Sequence, residues 1–237
     1  MQVLNNADFL TLWENGHRLH PLDRGLLAIR ASLADGSIEP IVDWPIGRRN
    51  RALAEIRLLY FGPKLEGWMS CDECGEKLQF AVDCRAIAET PESSSSGTVD
   101  CNGGVFRLPT SRDLASILEE QDEHVAALRL LERCAMEKHA GEAARSWPSD
   151  EVEAIAERMA LADPLAEIAL EFVCPSCQRS SEEILDLPGF LWSEIETRAK
   201  RLLMEVHTLA SAYGWAEAAL LGMSDIRRTT YLQMVTA

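Results

Sequence analysis

Four cysteines occur as two pairs with the spacing of metal-binding knuckles. Two residues separate Cys71 from Cys74, and two separate Cys174 from Cys177. Two cysteines at this spacing on a tight turn direct both sulfurs to one ion, and two such turns complete the four-thiolate shell of zinc. The interval between the pairs far exceeds the roughly 15–20 residues of a compact finger. The sequence therefore predicts one structural Zn²⁺ that joins distant parts of the chain.

The three remaining cysteines leave alternatives open. Cys84 and Cys101 would form a more local shell with the first pair, which would leave the second pair without a partner. In another interpretation all seven cysteines, Cys134 included, are buried thiols, because cysteine is often fully buried. A thioredoxin-like redox role is disfavoured, since neither pair begins a helix after a parallel strand.

Enzyme chemistry is not indicated by any local motif. A shell of four thiolates leaves no position for water, so zinc bound there is structural rather than catalytic. The sequence also lacks the phosphate-binding loop, the zinc-protease motif, the nucleophile elbow and the dinucleotide-binding motif. We therefore expect a non-enzymatic protein.

The charge of the chain limits its partners. Its 237 residues include 38 acidic and 23 basic side chains, a formal net charge of −15. Broad electrostatic binding to nucleic acid or to an anionic membrane is therefore disfavoured. The acidity is concentrated in residues 110–187, which hold eighteen acidic and seven basic residues. No apolar stretch is long enough to span a bilayer, and the N-terminus does not resemble a secretory signal. Seven cysteines without an export signal indicate thiols or metal ligands rather than disulfides, so we expect a cytosolic protein.

Periodicity predicts an α+β fold. Helices are expected from Asn6, from Pro21 and from Ile46, the last ending before Gly62-Pro63, and strands are expected on both sides of each cysteine pair. A hairpin precedes Pro109, and Thr110 begins a helix that we expect to continue to Gly141.

These elements define helical N- and C-terminal parts around one small antiparallel sheet resembling a zinc ribbon. The strand leaving the second knuckle is expected over residues 184–187, and a long helix is expected from residue 190 to residue 213. The predicted parts are 1–64, 65–109, an acidic helical insert at 110–165, 166–188 and 189–237, sharing the zinc site as one unit.

Several motifs together resemble the baseplate hub assembly proteins of contractile-tailed phages and phage-tail-like injection systems. They run in order through nearly the whole chain: Asp43–Asn50, Tyr60–Pro63, Cys71–Phe80, Phe106–Leu114, Leu130–Cys134, Cys174–Cys177, Phe190–Trp192, Glu205–Trp215, Ile226–Arg228 and Tyr231–Leu232. Each motif is short, and their order carries the resemblance.

The resemblance implies a cytosolic chaperone that helps baseplate hub or spike proteins to assemble.

Among the six tryptophans, Trp44 and Trp147 precede prolines in predicted loops, which favours an interface role for these two, whereas the core is the default location of a tryptophan. Two other classes remain open: a zinc-ribbon module of another role, binding protein or nucleic acid, and an enzyme with an unfamiliar site.

Overall fold

The computed structural model describes residues 1–33, 40–91, 97–101, 104–136 and 147–236. The chain divides into two compact units, one made of Met1–Gly36 with Leu187–Ala237 and the other of Ser37–Asp186. The predicted α+β class is confirmed, because the elements are mostly helices accompanied by small antiparallel sheets. Among the described helices, none combines the length and the apolar character that crossing a membrane requires.

The elements are numbered along the chain. The α-helices are α1 (Asn6–Gly16), α2 (Pro21–Ser32), α3 (Ile46–Phe61), α4 (Cys84–Glu89), α5 (Ser111–Ile117), α6 (Glu123–Cys134), α7 (Ser149–Ala162), α8 (Leu187–Tyr213), α9 (Glu217–Leu221) and α10 (Asp225–Thr236), with a 3-10 turn at Ile41–Asp43. The strands are β1 (Lys64–Ser70), β2 (Lys77–Asp83), β3 (Thr98–Cys101), β4 (Gly104–Arg107), β5 (Ala169–Val173) and β6 (Ser180–Ile184).

The first unit consists of helices packed around α8. Helices α1, α2, α9 and α10 all contact α8, whose buried side chains include Leu191, Ile195 and Leu209. Helix α10 is also held by a buried ion pair, in which Arg228 donates to Glu205 on α8 at 2.6 Å.

The described residues of the second unit form three separate two-stranded antiparallel sheets, β1–β2, β3–β4 and β5–β6. The expected single sheet is therefore wrong. Each pair forms a ribbon of two consecutive strands. Every strand pairs only with the strand to which its own short connection leads, so local chain closure decides the pairing. The knuckle ribbons meet through side chains instead, since Phe80 on β2 packs edge-to-face against Phe172 on β5 with ring centroids 5.9 Å apart.

Two predicted boundaries in this unit also differ from the structure. The helix expected from Thr110 is divided into α5 and α6, because Asp122 accepts backbone hydrogen bonds from His124 and Val125 and begins a new helix. Helix α6 ends at Cys134, and the predicted end at Gly141 lies outside the described residues. Strand β6 begins three residues after the second knuckle and stops at Ile184, so most of the strand expected over 184–187 is absent there.

A buried carboxylate ties β4, α5 and α6 together. Asp113 on α5 accepts hydrogen bonds from Arg107 on β4 at 2.5 and 2.8 Å and from Arg133 on α6 at 2.9 Å. The backbone N–H of Thr110 donates to the same carboxylate at 2.9 Å, completing the predicted capping box. These bonds give the hairpin and both helices one common anchor.

Candidate metal centre

The structure brings the four predicted ligands to one place. The sulfur atoms of Cys71, Cys74, Cys174 and Cys177 all lie within 4.8 Å of one another. The Sγ atoms of Cys71 and Cys177 are 3.7 Å apart, and those of Cys74 and Cys174 are 3.6 Å apart. A disulfide requires about 2.05 Å between sulfurs. Tetrahedral coordination with zinc–sulfur bonds of about 2.3 Å places sulfurs about 3.8 Å apart, so the cluster is compatible with a metal site.

The two knuckles have the same backbone conformation. In the first, the N–H of Gly75 donates to the carbonyl of Cys71 at 2.8 Å; in the second, the N–H of Gln178 donates to Cys174 at 2.9 Å. Both donors have a positive φ, 73° for Gly75 and 59° for Gln178. The left-handed residue reverses the chain directly after the second cysteine, so both sulfurs of a pair face the same side of the turn.

Helix α3 positions both ribbons that carry the knuckles. At its C-terminal end Arg57 donates to the carbonyls of Gly62 at 2.7 Å and Lys64 at 2.8 Å, which holds the beginning of β1. Nearer its N-terminal end, the Asn50 side chain donates to the carbonyl of Leu165 at 2.8 Å, which holds the segment leading to β5. One helix thus brings together two strands that are distant in sequence.

The N-terminus of α3 is completed by a residue more than a hundred positions away. The buried Asp163 carboxylate accepts a hydrogen bond from the N–H of Gly47 at 2.9 Å. A Cβ atom at Gly47 would lie 1.7 Å from Asp163 Oδ1, so the contact requires glycine. Burial lowers the pKa of nearby Arg49 to about 10, which leaves its guanidinium charged at neutral pH.

Contacts around the sulfurs join the knuckles further. Glu73 of the first knuckle forms an ion pair with Arg179 of the second. Leu78 is buried with the two inner cysteines, and Met69 and Phe172 pack against them. Cys71 and Cys174 are buried, whereas Cys74 and Cys177 reach the surface. The cluster is therefore apolar on one side and open to solvent on the other.

Ionisation of all four thiols needs a cation. Backbone hydrogen bonds involving Cys74 and Glu73 lower the pKa of Cys71 to about 7. The backbone hydrogen bond at Glu76 favours the thiolate of Cys74, but partial loss of hydration and the thiols of Cys174, Cys177 and Cys71 outweigh it and raise the pKa of Cys74 to about 12. Thiolates this close repel one another, and a bound divalent ion removes the repulsion.

The other cysteines do not join this cluster. Cys84 begins α4, and its sulfur lies 3.8 Å from Arg57 Nη1. Cys101 and Cys134 belong to the hydrophobic core formed around Phe106. Burial raises the pKa of Cys134 to about 11, so this thiol stays protonated at neutral pH. The alternative local shell of Cys71, Cys74, Cys84 and Cys101 is therefore wrong.

The two tryptophans expected at an interface, Trp44 and Trp147, do not lie at the surface. Trp44 and Trp147 are both buried, and Trp147 packs against Phe106 with ring centroids 5.8 Å apart. Trp68 on β1 is instead 65% exposed. Alternation along β1 buries Leu65 and Gly67 and therefore places Trp68 on the outer face, a strand pattern that was visible in the sequence.

Sequence reasoning also missed Asn50, Arg57 and Asp163 as residues that position the centre.

No protein-family model, no curated protein and no solved structure matches this chain.

Proposed function

We propose that the chain is a non-enzymatic assembly factor for the baseplate hub of a phage tail or contractile injection system, and that one structural Zn²⁺ holds its second unit together. The observation that carries the zinc assignment is the set of four sulfur atoms within 4.8 Å of one another. All four donors are thiolates, which favours zinc over magnesium or calcium. Two antiparallel ribbons ending in knuckles are also the arrangement typical of zinc ribbons.

A closed shell supports a structural role for this ion. Four cysteine ligands fill the tetrahedron, so no position is left for water or substrate. The ligands come from two ribbons about a hundred residues apart in the chain. Binding of the metal therefore contributes directly to the folding of this unit.

The assembly role is supported by the ordered motifs that resemble baseplate hub assembly proteins, from Asp43–Asn50 to Tyr231–Leu232. A negatively charged chain with an exposed tryptophan suits reversible contact with other proteins. We expect its partners to be hub or spike proteins, and we expect it to act in the bacterial or infected-cell cytoplasm.

Native mass spectrometry tests both parts of the proposal on the full chain purified from a host that also produces the tail proteins. We expect one zinc ion per chain and a co-purifying hub or spike protein. A folded chain without metal would contradict the zinc assignment. A zinc-loaded chain that binds no hub or spike protein would contradict the assembly role.

Matched cysteine variants identify the ligands. Cys177→Ser changes an exposed member of the cluster, so we expect the loss of zinc with little loss of packing. Cys134→Ser is the control, because Cys134 lies in the other core of the same unit. Zinc retained at the wild-type level in Cys177→Ser would show that the four-cysteine shell is wrong.

A further inference from the structure

The β5–β6 ribbon has one face that packs and one that does not. On the inner face, Phe172 meets Phe80 of the first knuckle ribbon. On the outer face the register pairs Ala169 with Ile184, Glu171 with Glu182, and Val173 with Ser180. All six of these side chains are exposed, and the described part of the chain leaves this face uncovered.

The outer face combines apolar and acidic side chains. Val173 is 63% exposed and Ile184 is 53% exposed, which are high values for β-branched residues in a strand. Between them lie Glu171 and Glu182, directly opposite each other in the register. Side chains paired in this way have Cβ atoms about 4.5–5.5 Å apart, and like charges at that distance destabilise a sheet.

The repulsion is not relieved within the ribbon. Arg179, the single basic residue between Glu167 and Asp186, forms its ion pair with Glu73. Among the described residues, neither Glu171 nor Glu182 has an ion-pair partner.

The outer face of the first knuckle ribbon differs. There Lys64 pairs in register with Asp83 and forms an ion pair with Glu66 at 2.6 Å. The register of β1–β2 places no two like charges opposite each other, whereas that of β5–β6 places Glu171 opposite Glu182.

We propose that the outer face of β5–β6 binds a basic segment of a partner protein in which lysine or arginine alternates with apolar residues. Basic side chains of that segment neutralise Glu171 and Glu182, while its apolar side chains cover Val173 and Ile184. Charge complementarity and the exposed apolar area select this class of partner over nucleic acid or an acidic protein. The inference rests on the proposed binding role of the chain, but it does not depend on the partner being a hub protein.

The probe is a short acetylated peptide that alternates arginine with valine, titrated into the zinc-loaded, ¹⁵N-labelled full chain. Amide shifts are expected on Glu171, Val173, Glu182 and Ile184, with affinity that falls as salt is added. A peptide in which glutamate replaces arginine is expected not to bind. Shifts spread over the other acidic surfaces, or confined to them, would overturn the proposal.

Two variants of equal charge separate this face from general acidity. E171Q/E182Q is expected to weaken peptide binding about tenfold, because charge pairs at an interface contribute substantially to affinity. E153Q/E157Q neutralises two exposed glutamates on α7 and is expected to change binding by less than about twofold. Equal effects of the two variants would overturn the proposal.

The variant also distinguishes a binding face from a purely structural one. E171Q/E182Q should keep its zinc and melt at a higher temperature than the wild type, since the cross-strand repulsion is gone. Lower stability together with lost binding would mean that the glutamates support the fold, which contradicts the proposal.

If a hub protein binds the wild type and the E171Q/E182Q variant equally, this inference fails and the proposed function stands. If the peptide binds but no hub protein does, the proposed function fails and this inference stands.

Discussion

Replacement of Gly47 by alanine tests whether the distant Asp163 carboxylate completes helix α3. Alanine normally favours a helix over glycine by about 1 kcal/mol, so propensity alone predicts a more stable protein. The structure predicts the opposite. The new Cβ would lie 1.7 Å from Asp163 Oδ1, and the carboxylate must move away by more than an ångström.

The magnitude follows from the hydrogen bond that is lost. Asp163 is buried and accepts the Gly47 N–H at 2.9 Å. A hydrogen bond to a charged group contributes about 1.5–3 kcal/mol. Subtraction of the helix-propensity gain leaves a net loss of about 0.5–2 kcal/mol in the free energy of unfolding.

A double-mutant cycle measures the contact itself. Urea unfolding of the zinc-loaded protein, followed by circular dichroism and by tryptophan fluorescence, gives the free energy for wild type, Gly47→Ala, Asp163→Ala and the double variant. We expect Gly47→Ala to destabilise the wild type and to be neutral or stabilising when Asp163 is already alanine. Coincident transitions from the two probes are needed for a two-state analysis.

Two results would refute the reasoning. If Gly47→Ala stabilises the wild type, the space at Gly47 is not occupied as described. If Gly47→Ala has the same cost in both backgrounds, the cost does not come from Asp163.

Three further predictions concern acid stability, knuckle conformation and metal removal. Burial opposes ionisation of Asp113, but hydrogen bonds from Arg107 and Thr110 outweigh it and hold the pKa of this carboxyl well below its usual range. Its stabilising effect is therefore present at neutral pH and lost as the pH falls below about 4. Asp113→Asn should be less stable than wild type at pH 7, and denaturation measured against pH should show the difference shrinking in acid; a constant difference would contradict the assignment. Gly75→Ala should cost about 1 kcal/mol because φ is 73°, whereas Gln178→Gly should cost nothing because it relieves the same conformation; equal thermal shifts for the two would exclude this explanation. Zinc removal by a chelator should increase hydrogen exchange at β5 and β6 before it does so at β3 and β4, whose core does not include the knuckle cysteines; simultaneous exchange would indicate that the metal supports the whole unit equally.

Local signals in the sequence were sufficient for the types of most elements and for the cysteine pairs. Helix α3 begins after Pro45 and ends before Gly62, as expected from residues that cannot continue a helix in those positions. The strands beside each knuckle were predicted from alternation, and the capping box of Thr110 and Asp113 from spacing. These features depend on residues within a few positions of one another, so the sequence by itself determined them.

Contacts between distant residues were decided by the tertiary structure. The sequence did not indicate that the ribbons would remain three separate sheets, because strand pairing beyond a hairpin depends on which faces pack together. It contained no sign that Asp163 would approach Gly47 or that Asn50 would hold the segment before β5. The cysteine spacing indicated the four candidate ligands, but contacts of helix α3, the contact of Phe80 with Phe172 and the ion pair of Glu73 with Arg179 bring the two pairs together. Spacing along a chain specifies a turn, whereas the meeting of two turns depends on the packing of everything between them.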